Sequence, residues 1–378
     1  MKLTYLANIR ISTERAHGYA IMKMCEELAK QGMKVELVVP NKKNFIGVDP
    51  FEYYGLERNF SVRYLPAVDF LSKEGATGQL FFWIDYTLFL LAILISGCCR
   101  QTDLIYTRDY ILLSLFAGKN AVLEIHDIPK AKKIFLAVAK KVKKILVITN
   151  GLKDELVKMG VGKDKILVVP DAVDLDKFNT NVTQTEARQK LSLSPDKKII
   201  LYIGHLYGWK GADVLADAAK FLEDYFILLV GGVASELEDF RDKYKNCTNV
   251  KIVPFQNREL MPVYLKAADV LVLPNKKGDI ISEEYTSPLK MFEYMASGRP
   301  IMASDLPSIR EVLNVGNSVL VEPNNPEDLA RGIKKVFESS ELANKITRQA
   351  LADVQNFTWQ KRAEKIIDFT DLKTKITI

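Results

Sequence analysis

Twice along this chain, short apolar runs alternate with stretches of helical period, and nothing else in the sequence restricts the fold so tightly. In the first half the runs are Leu3–Asn8, Val35–Pro40, Asp103–Thr107, Ala121–His126, Ile145–Thr149 and Ile166–Pro170. In the second they are Ile199–Gly204, Phe226–Gly231, Val250–Phe255, Val270–Pro274, Ile301–Ser304 and Ser318–Glu322. Runs this short, separated by helical segments, predict βαβ units and parallel sheets covered on both faces. Two such series in 378 residues agree with a prior of roughly 150 residues per domain. The expected architecture is therefore α/β, with two Rossmann-like doubly wound parallel-sheet domains, residues 1–180 and 190–357, facing a central cleft. The polar stretch from Asp171 to Asp196 has no strand pattern and reads as the interdomain connection. The last segment, 358–378, begins with an amphipathic TWQKRAEKIIDFTDLK and is expected to cross back onto the first domain.

Charge and cysteine content narrow the class. A net charge of +6 suits phosphorylated ligands or anionic lipid. Cys25, Cys98, Cys99 and Cys247 have neither metal nor disulfide spacing, which fits reduced thiols in a cytoplasmic protein. The chain starts MKLTYLAN and runs straight into a strand pattern, so no cleavable signal is expected. Leu80–Cys99 has almost the length and apolarity of a membrane span. Spanning would place strands of one sheet on opposite sides of a bilayer and would bury Asp85 in hydrocarbon. A helix packed in the domain, with one face touching lipid, is expected instead. Farther on, PKAKKIFLAVAKKVKK sets Lys130, Lys132, Lys133, Lys140, Lys141, Lys143 and Lys144 around an apolar core. It is read either as a helix for an anionic membrane surface or as a solvated basic face. These lysines alternate with aliphatic rather than stacking aromatic residues, which argues against nucleic acid.

In open parallel sheets ligands gather beyond the carboxyl ends of the strands. That rule selects Arg15, His17 and Gly18 after the first strand, Arg108 and Asp109 after the third, and His126 and Asp127 after the fourth. Gly18 is read as opening the helix YAIMKMCEELAKQG, either to bring an amide to a phosphate or sugar or simply to make a tight turn. The chain has three histidines, His17, His126 and His205, and all sit at strand-to-loop junctions. In the second half Gly204–Gly211, GHLYGWKG, follows a strand and carries Lys210.

The stretch SEEYTSPLKMFEYMASGR, Ser282–Arg299, holds a local conflict. Ser287 suits an N-cap, Pro288 the first helical position, and Gly298 with Pro300 a helix stop. Lys290 then places a cation in the first turn, where unpaired amides already make the potential positive. Either an anion binds there, or Lys290 snorkels to solvent and pairs with Glu293 at i, i+3. With Lys210 reaching the same cleft, the anion reading favours a diphosphate, and Glu293 could accept from the vicinal hydroxyls of a ribose.

Taken together, MKMCEELAKQGMKVELVVP, EIHD, VITN, VPDAVDLDKF, GHLYGWKG and SPLKMFEYMASGRP resemble the GT-B glycosyltransferases of family 4, also called group 1. The likeness is strongest from Ile199 to Glu322. It implies retaining transfer of a sugar from a nucleotide diphosphate sugar to a glycan or lipid-linked acceptor, with no metal and no bound cofactor. By resemblance Lys210 and the turn Ser287, Pro288, Leu289 and Lys290 bind the diphosphate, Gly18 lies near it, Glu293 holds the ribose, and His126 sits beside the donor sugar. His17, Gly204, His205, Glu284 and Tyr285 complete the expected donor site, and Arg15, Arg108 and Asp109 are candidates on the acceptor side. His126, Lys210, Lys290 and Asp127 are the expected catalytic residues, Asp127 and Asp109 also being candidates to contact the acceptor.

Two positions depart from the family pattern. His205 stands where an Arg usually follows the glycine, which removes a fixed positive charge that Lys290 is expected to replace in part. Tyr285 stands where the first Glu of a Glu, seven residues, Glu pattern is expected, with Glu284 adjacent. The alternatives on the same fold are an epimerase or hydrolase of nucleotide sugars, or a sugar-nucleotide-binding subunit without turnover.

Overall fold

The computed structural model describes residues 1–44, 46–68, 76–116, 120–178, 180–206 and 208–370. Residue packing groups the chain into two units, one of 1–148, 152–169 and the segment from Trp359 onward, the other of 149–151 and 170–358.

Unit 1 contains β1 (Lys2–Leu6), β2 (Lys34–Asn41), β3 (Ser61–Pro66), β4 (Leu104–Thr107), β5 (Ala121–Ile125), β6 (Lys144–Val147) and β7 (Ile166–Val168). They form one parallel sheet in the order β3-β2-β1-β4-β5-β6-β7. The strand order reverses between β1 and β4, and the candidate site residues of this unit follow β1, β4 and β5. β5 is buried at every position, as the uninterrupted apolar runs require of strands covered on both faces. β3 was missed in the sequence. It is an edge strand with exposed Ser61 and Pro66, so it lacks the apolar run by which the others are recognised.

Unit 2 contains β8 (Lys198–Ile203), β9 (Tyr225–Val230), β10 (Val250–Val253), β11 (Val270–Leu273), β12 (Ile301–Ser304) and β13 (Val319–Val321), ordered β10-β9-β8-β11-β12-β13, again all parallel. Alternate residues of each strand feed two cores. Leu201 and Leu228 join Phe292 and Tyr294 on one face, whereas Ile200, Tyr202, Ile227 and Leu229 join Leu215 and Ile333 on the other.

The stretch read as the interdomain connection carries two short helices. Leu175–Phe178 and Gln184–Lys190 are helices, the second opened by a reciprocal cap between Thr183 and Glu186. Buried Arg188 ties that helix to the Ala267 carbonyl at 2.9 Å and to Asp269 at 2.7 Å. The Thr-x-x-Glu spacing was the available signal, masked by the polar composition around it.

The terminal Trp359–Phe369 helix belongs to unit 1. It packs on the Ala16–Lys30 helix, with Trp359 edge-on to Tyr19 at 6.2 Å. The apolar segment forms the Ala76–Ser96 helix, and its Asp85 is neutralised by Lys42 at 2.5 Å. Among the described residues no helix is long and apolar enough to cross a membrane.

Candidate active site

The organising feature of unit 2 is a buried ammonium. The Leu289–Ala296 helix starts one residue later than expected, with Pro288 outside it, and its first turn points Lys290 inward. The Lys290 Nζ is buried, finds no hydrogen-bond partner among the described residues, and lies 4.0 Å from the centroid of the Tyr202 ring. Gly204 makes this approach possible. A Cβ there would stand 2.7 Å from the Lys290 Nζ, and its φ of +145° is one that side chains other than hydrogen rarely adopt. Burial drives the Lys290 amine well below the ordinary lysine value; the neighbouring charge of Lys210 adds to this, and Glu293 opposes it. Lys210, on the Gly208–Lys210 turn, lies 3.7 Å from the Trp209 ring centroid, and burial pushes it down to about 8. The two ammonium groups therefore feel one another, and neither has an ion-pair partner among the described residues.

This arrangement disposes of the alternative in which Lys290 snorkels and pairs with Glu293. The Glu293 carboxylate instead receives the Arg258 guanidinium. Ser287 is not an N-cap: no side chain caps this helix, and the Ser287 Oγ accepts the Asp171 N–H at 3.1 Å. The helix does stop as expected, at Gly298 with φ +71°. The amide of Met291 is taken by the Pro288 carbonyl, while those of Leu289 and Lys290 precede the intrahelical ladder.

His205, in place of the family's Arg, faces Glu236 with Nδ1 3.3 Å from the carboxylate, and Glu236 also accepts the Leu206 N–H at 3.0 Å. Tyr285 is buried and closes a single wide turn, Ile281–Tyr285, on which Glu284 is half-buried. Glu283 is bound to the Gly278 N–H at 2.8 Å within its own loop.

Unit 1 gathers its charges around a residue that the sequence reading passed over. Glu124, fully buried in β5, receives the Tyr106 hydroxyl, His126 Nε2 at 2.6 Å, Arg108 Nη2 at 2.9 Å and Arg362 Nη2 at 2.8 Å. Burial alone would raise its carboxyl, but Arg108, Arg362 and His126 hold it well below the usual range. His126 is thereby fixed through one ring nitrogen, with the ring partly exposed. His17 lies close enough to feel His126, Arg108 and Arg15; burial first, and then those charges, push it down to about 4, so it is neutral near pH 7. Asp127 is exposed beside His126.

Three expectations for this unit change. The Ala16–Lys30 helix begins two residues before Gly18, whose N–H is bonded to the Arg15 carbonyl at 3.1 Å, so that amide is already engaged. Gly18 is required for space, since a Cβ would stand 2.3 Å from the Tyr54 hydroxyl. Arg108 turns inward to Glu124. Asp109 caps the Tyr110–Ser114 helix, accepting the Ile111 and Leu112 amides at 2.9 and 3.3 Å.

Sequence reasoning missed Glu124, Arg362, Tyr202 and Arg258. Glu124 had a signal, a carboxylate inside the apolar run AVLEI. Arg258 had none, because its partner is 35 residues away.

Comparison with known proteins fits this geometry. The model of glycosyl transferases group 1 matches residues 183–353, and that of Glycosyltransferase Family 4 matches 18–177. An uncharacterised glycosyltransferase of Methanocaldococcus jannaschii is 25% identical over 235 residues, 59% of this chain and 58% of that relative. A D-inositol 3-phosphate glycosyltransferase of Geodermatophilus obscurus is 27% identical over 269 residues, 66% of this chain and 57% of its own. The matched stretch thus spans under two thirds of these relatives. Among solved structures, a sucrose-phosphate synthase from Thermosynechococcus elongatus superposes with a TM-score of 0.79 at 18% identity, covering 100% of both chains. Anabaena HepE in complex with UDP and glucose gives 0.78 at 17% identity, covering 99% of this chain and 100% of that one. The two family models follow one another along the chain on two parallel-sheet units, and the protein belongs to the group 1 and family 4 glycosyltransferases of GT-B fold.

Proposed function

We propose that this protein transfers a sugar from a nucleotide diphosphate sugar to a glycan or lipid-linked acceptor, with retention at the anomeric carbon and without a metal. The observation that carries the reading is the Lys290 Nζ, buried without a hydrogen-bond partner beside Lys210 at the start of the Leu289 helix. A buried, unpaired ammonium costs stability, and a diphosphate would supply the missing charge and acceptors. Cleavage of the anomeric bond leaves negative charge on the leaving diphosphate while the sugar becomes cationic. Lys210 and Lys290 then act on charge that grows toward the transition state. Glu293, held by Arg258, is assigned to the ribose, and His126, held by Glu124, to the donor sugar. HepE has been solved with UDP and with UDP-glucose, which makes a uridine donor the first to try.

We place the protein in the cytoplasm, peripheral at the inner membrane face, on the strength of the lysines between Lys130 and Lys144. A thermal-shift panel of UDP-, GDP-, ADP- and CMP-sugars tests the donor. One nucleotide series should stabilise the protein, and the best donor should then yield an α-linked product from an α-linked donor by NMR. Stabilisation by none of them contradicts the reading. Hydrolysis or epimerisation of the donor without an acceptor points to the other chemistries of this fold.

A further inference from the structure

We infer that unit 1 docks on a bilayer bearing anionic phospholipid, through the outward face of the Ala76–Ser96 helix and the basic helix in the same layer. The inference deepens the lipid-linked branch of the proposed acceptor, and vesicle binding reads it without any turnover.

The Ala76–Ser96 helix is apolar nearly all round, yet from Trp83 to Ile95 only one side of it is covered. Tyr86, Phe89 and Ile93 are buried. Ile84, Leu88, Leu91 and Ile95, at i, i+4, i+7 and i+11, form a stripe on the opposite side and are exposed, with Trp83 and Leu94 flanking it. Ile95 is 83% and Trp83 52% accessible, values that a soluble surface seldom gives to large apolar residues gathered in one patch.

The connections from β3 to β4, β4 to β5 and β5 to β6 all step across the sheet in one direction, so right-handed crossover puts their helices on a single face. Side chains join them. Tyr86 lies within electrostatic reach of Asp109, the cap of the Tyr110–Ser114 helix, and Tyr110 meets Phe135 of the Lys132–Lys141 helix edge-on at 5.5 Å. That last helix presents exposed Lys132, Lys133, Lys140 and Lys141 around exposed Ile134, with exposed Lys130 just before it. No acidic residue occurs from Ile128 to Lys153. Lys144 is set apart from the group, lying in β6 with its ammonium over the Phe369 ring.

An apolar stripe and a cationic helix without an ion-pair partner among the described residues, in one layer, match the two parts of an anionic bilayer surface, acyl chains and phosphate headgroups. A second copy of the chain would carry the same positive charge and would repel across this face.

Co-sedimentation of the full chain with vesicles of phosphatidylcholine containing phosphatidylglycerol, against phosphatidylcholine alone, tests the inference. The protein should bind the anionic vesicles and be released by salt. Leu91→Glu with Ile95→Glu should abolish binding, and Lys132→Glu with Lys133→Glu should weaken it by about fivefold or more per lysine. All four positions are exposed, so both variants should keep the parent melting temperature. Failure to bind anionic vesicles, or equal binding by the parent and both variants, overturns the inference. So does a dimer on size exclusion that the Leu91→Glu, Ile95→Glu variant dissolves while vesicles go unbound.

Discussion

Each unit buries charge at the carboxyl end of its sheet, and the two do so in opposite ways. In unit 1, Glu124 is surrounded by two guanidinium groups, a histidine and a tyrosine hydroxyl, so the assembly carries its own counter-charges. In unit 2, Lys290 meets the face of Tyr202 and the like charge of Lys210, and nothing among the described residues accepts its protons. A closed network of the first kind orients a neighbour, here His126. An open one is complete only with a ligand. Buried polar groups are nearly always satisfied in folded proteins, so a buried ammonium without a carboxylate partner is informative about function.

The largest effects should separate these roles. Lys290→Met should lower kcat by about 10²–10³-fold, as for loss of one transition-state donor, while the ligand-free protein becomes more stable by roughly 0.5–2 kcal/mol. Steady-state kinetics beside a denaturant melt would show both, and a variant that lost stability together with activity would place Lys290 among the structural residues. Glu124→Gln should behave in the other sense. It leaves buried Arg362 and half-buried Arg108 without their carboxylate, a loss on the order of 3–5 kcal/mol, and it loosens His126. Unchanged stability in that variant would break the contrast between the units.

The fold was readable because parallel strands covered on both faces need continuous apolar runs, and twelve of the thirteen strands have one. β3 escaped because an edge strand needs none. The site was readable wherever one local segment sets a residue's role, as with Lys290, whose cation at a helix start already conflicts with the helix dipole. It was unreadable where the role comes from a distant partner. Nothing near Ser287 marks Asp171 as its donor, and nothing near Glu293 marks Arg258. Gly18 shows the same limit: its neighbour, Tyr54, comes from a different helix.

A smaller effect is expected at His205. Because Glu236 already faces this side chain, His205→Arg should pair with that carboxylate and change donor KM by no more than about threefold, the scale of an exposed ion pair. A tenfold gain in donor affinity would mean that the Arg usual in the family reaches the diphosphate here as well. Protonation supplies a further contrast. The folded-state value of Lys290 lies below its unfolded one, so the unfolded chain holds that proton more tightly. The stability of the ligand-free protein should therefore rise with pH toward the ordinary lysine value of about 10.4. Lys210 contributes in the same sense above about 8, and Lys290→Met should flatten the profile.

The same proton offers the most direct test of the account. An anion arriving beside Lys290 raises the proton affinity of its amine, so nucleoside diphosphate binding should take up protons in the pH range where that amine titrates in the ligand-free protein. Calorimetric titration in buffers of different ionisation enthalpy measures that uptake. The parent protein should show it and Lys290→Met should lose most of it together with affinity; equal affinity and equal uptake in both would mean that the diphosphate does not bind at Lys290.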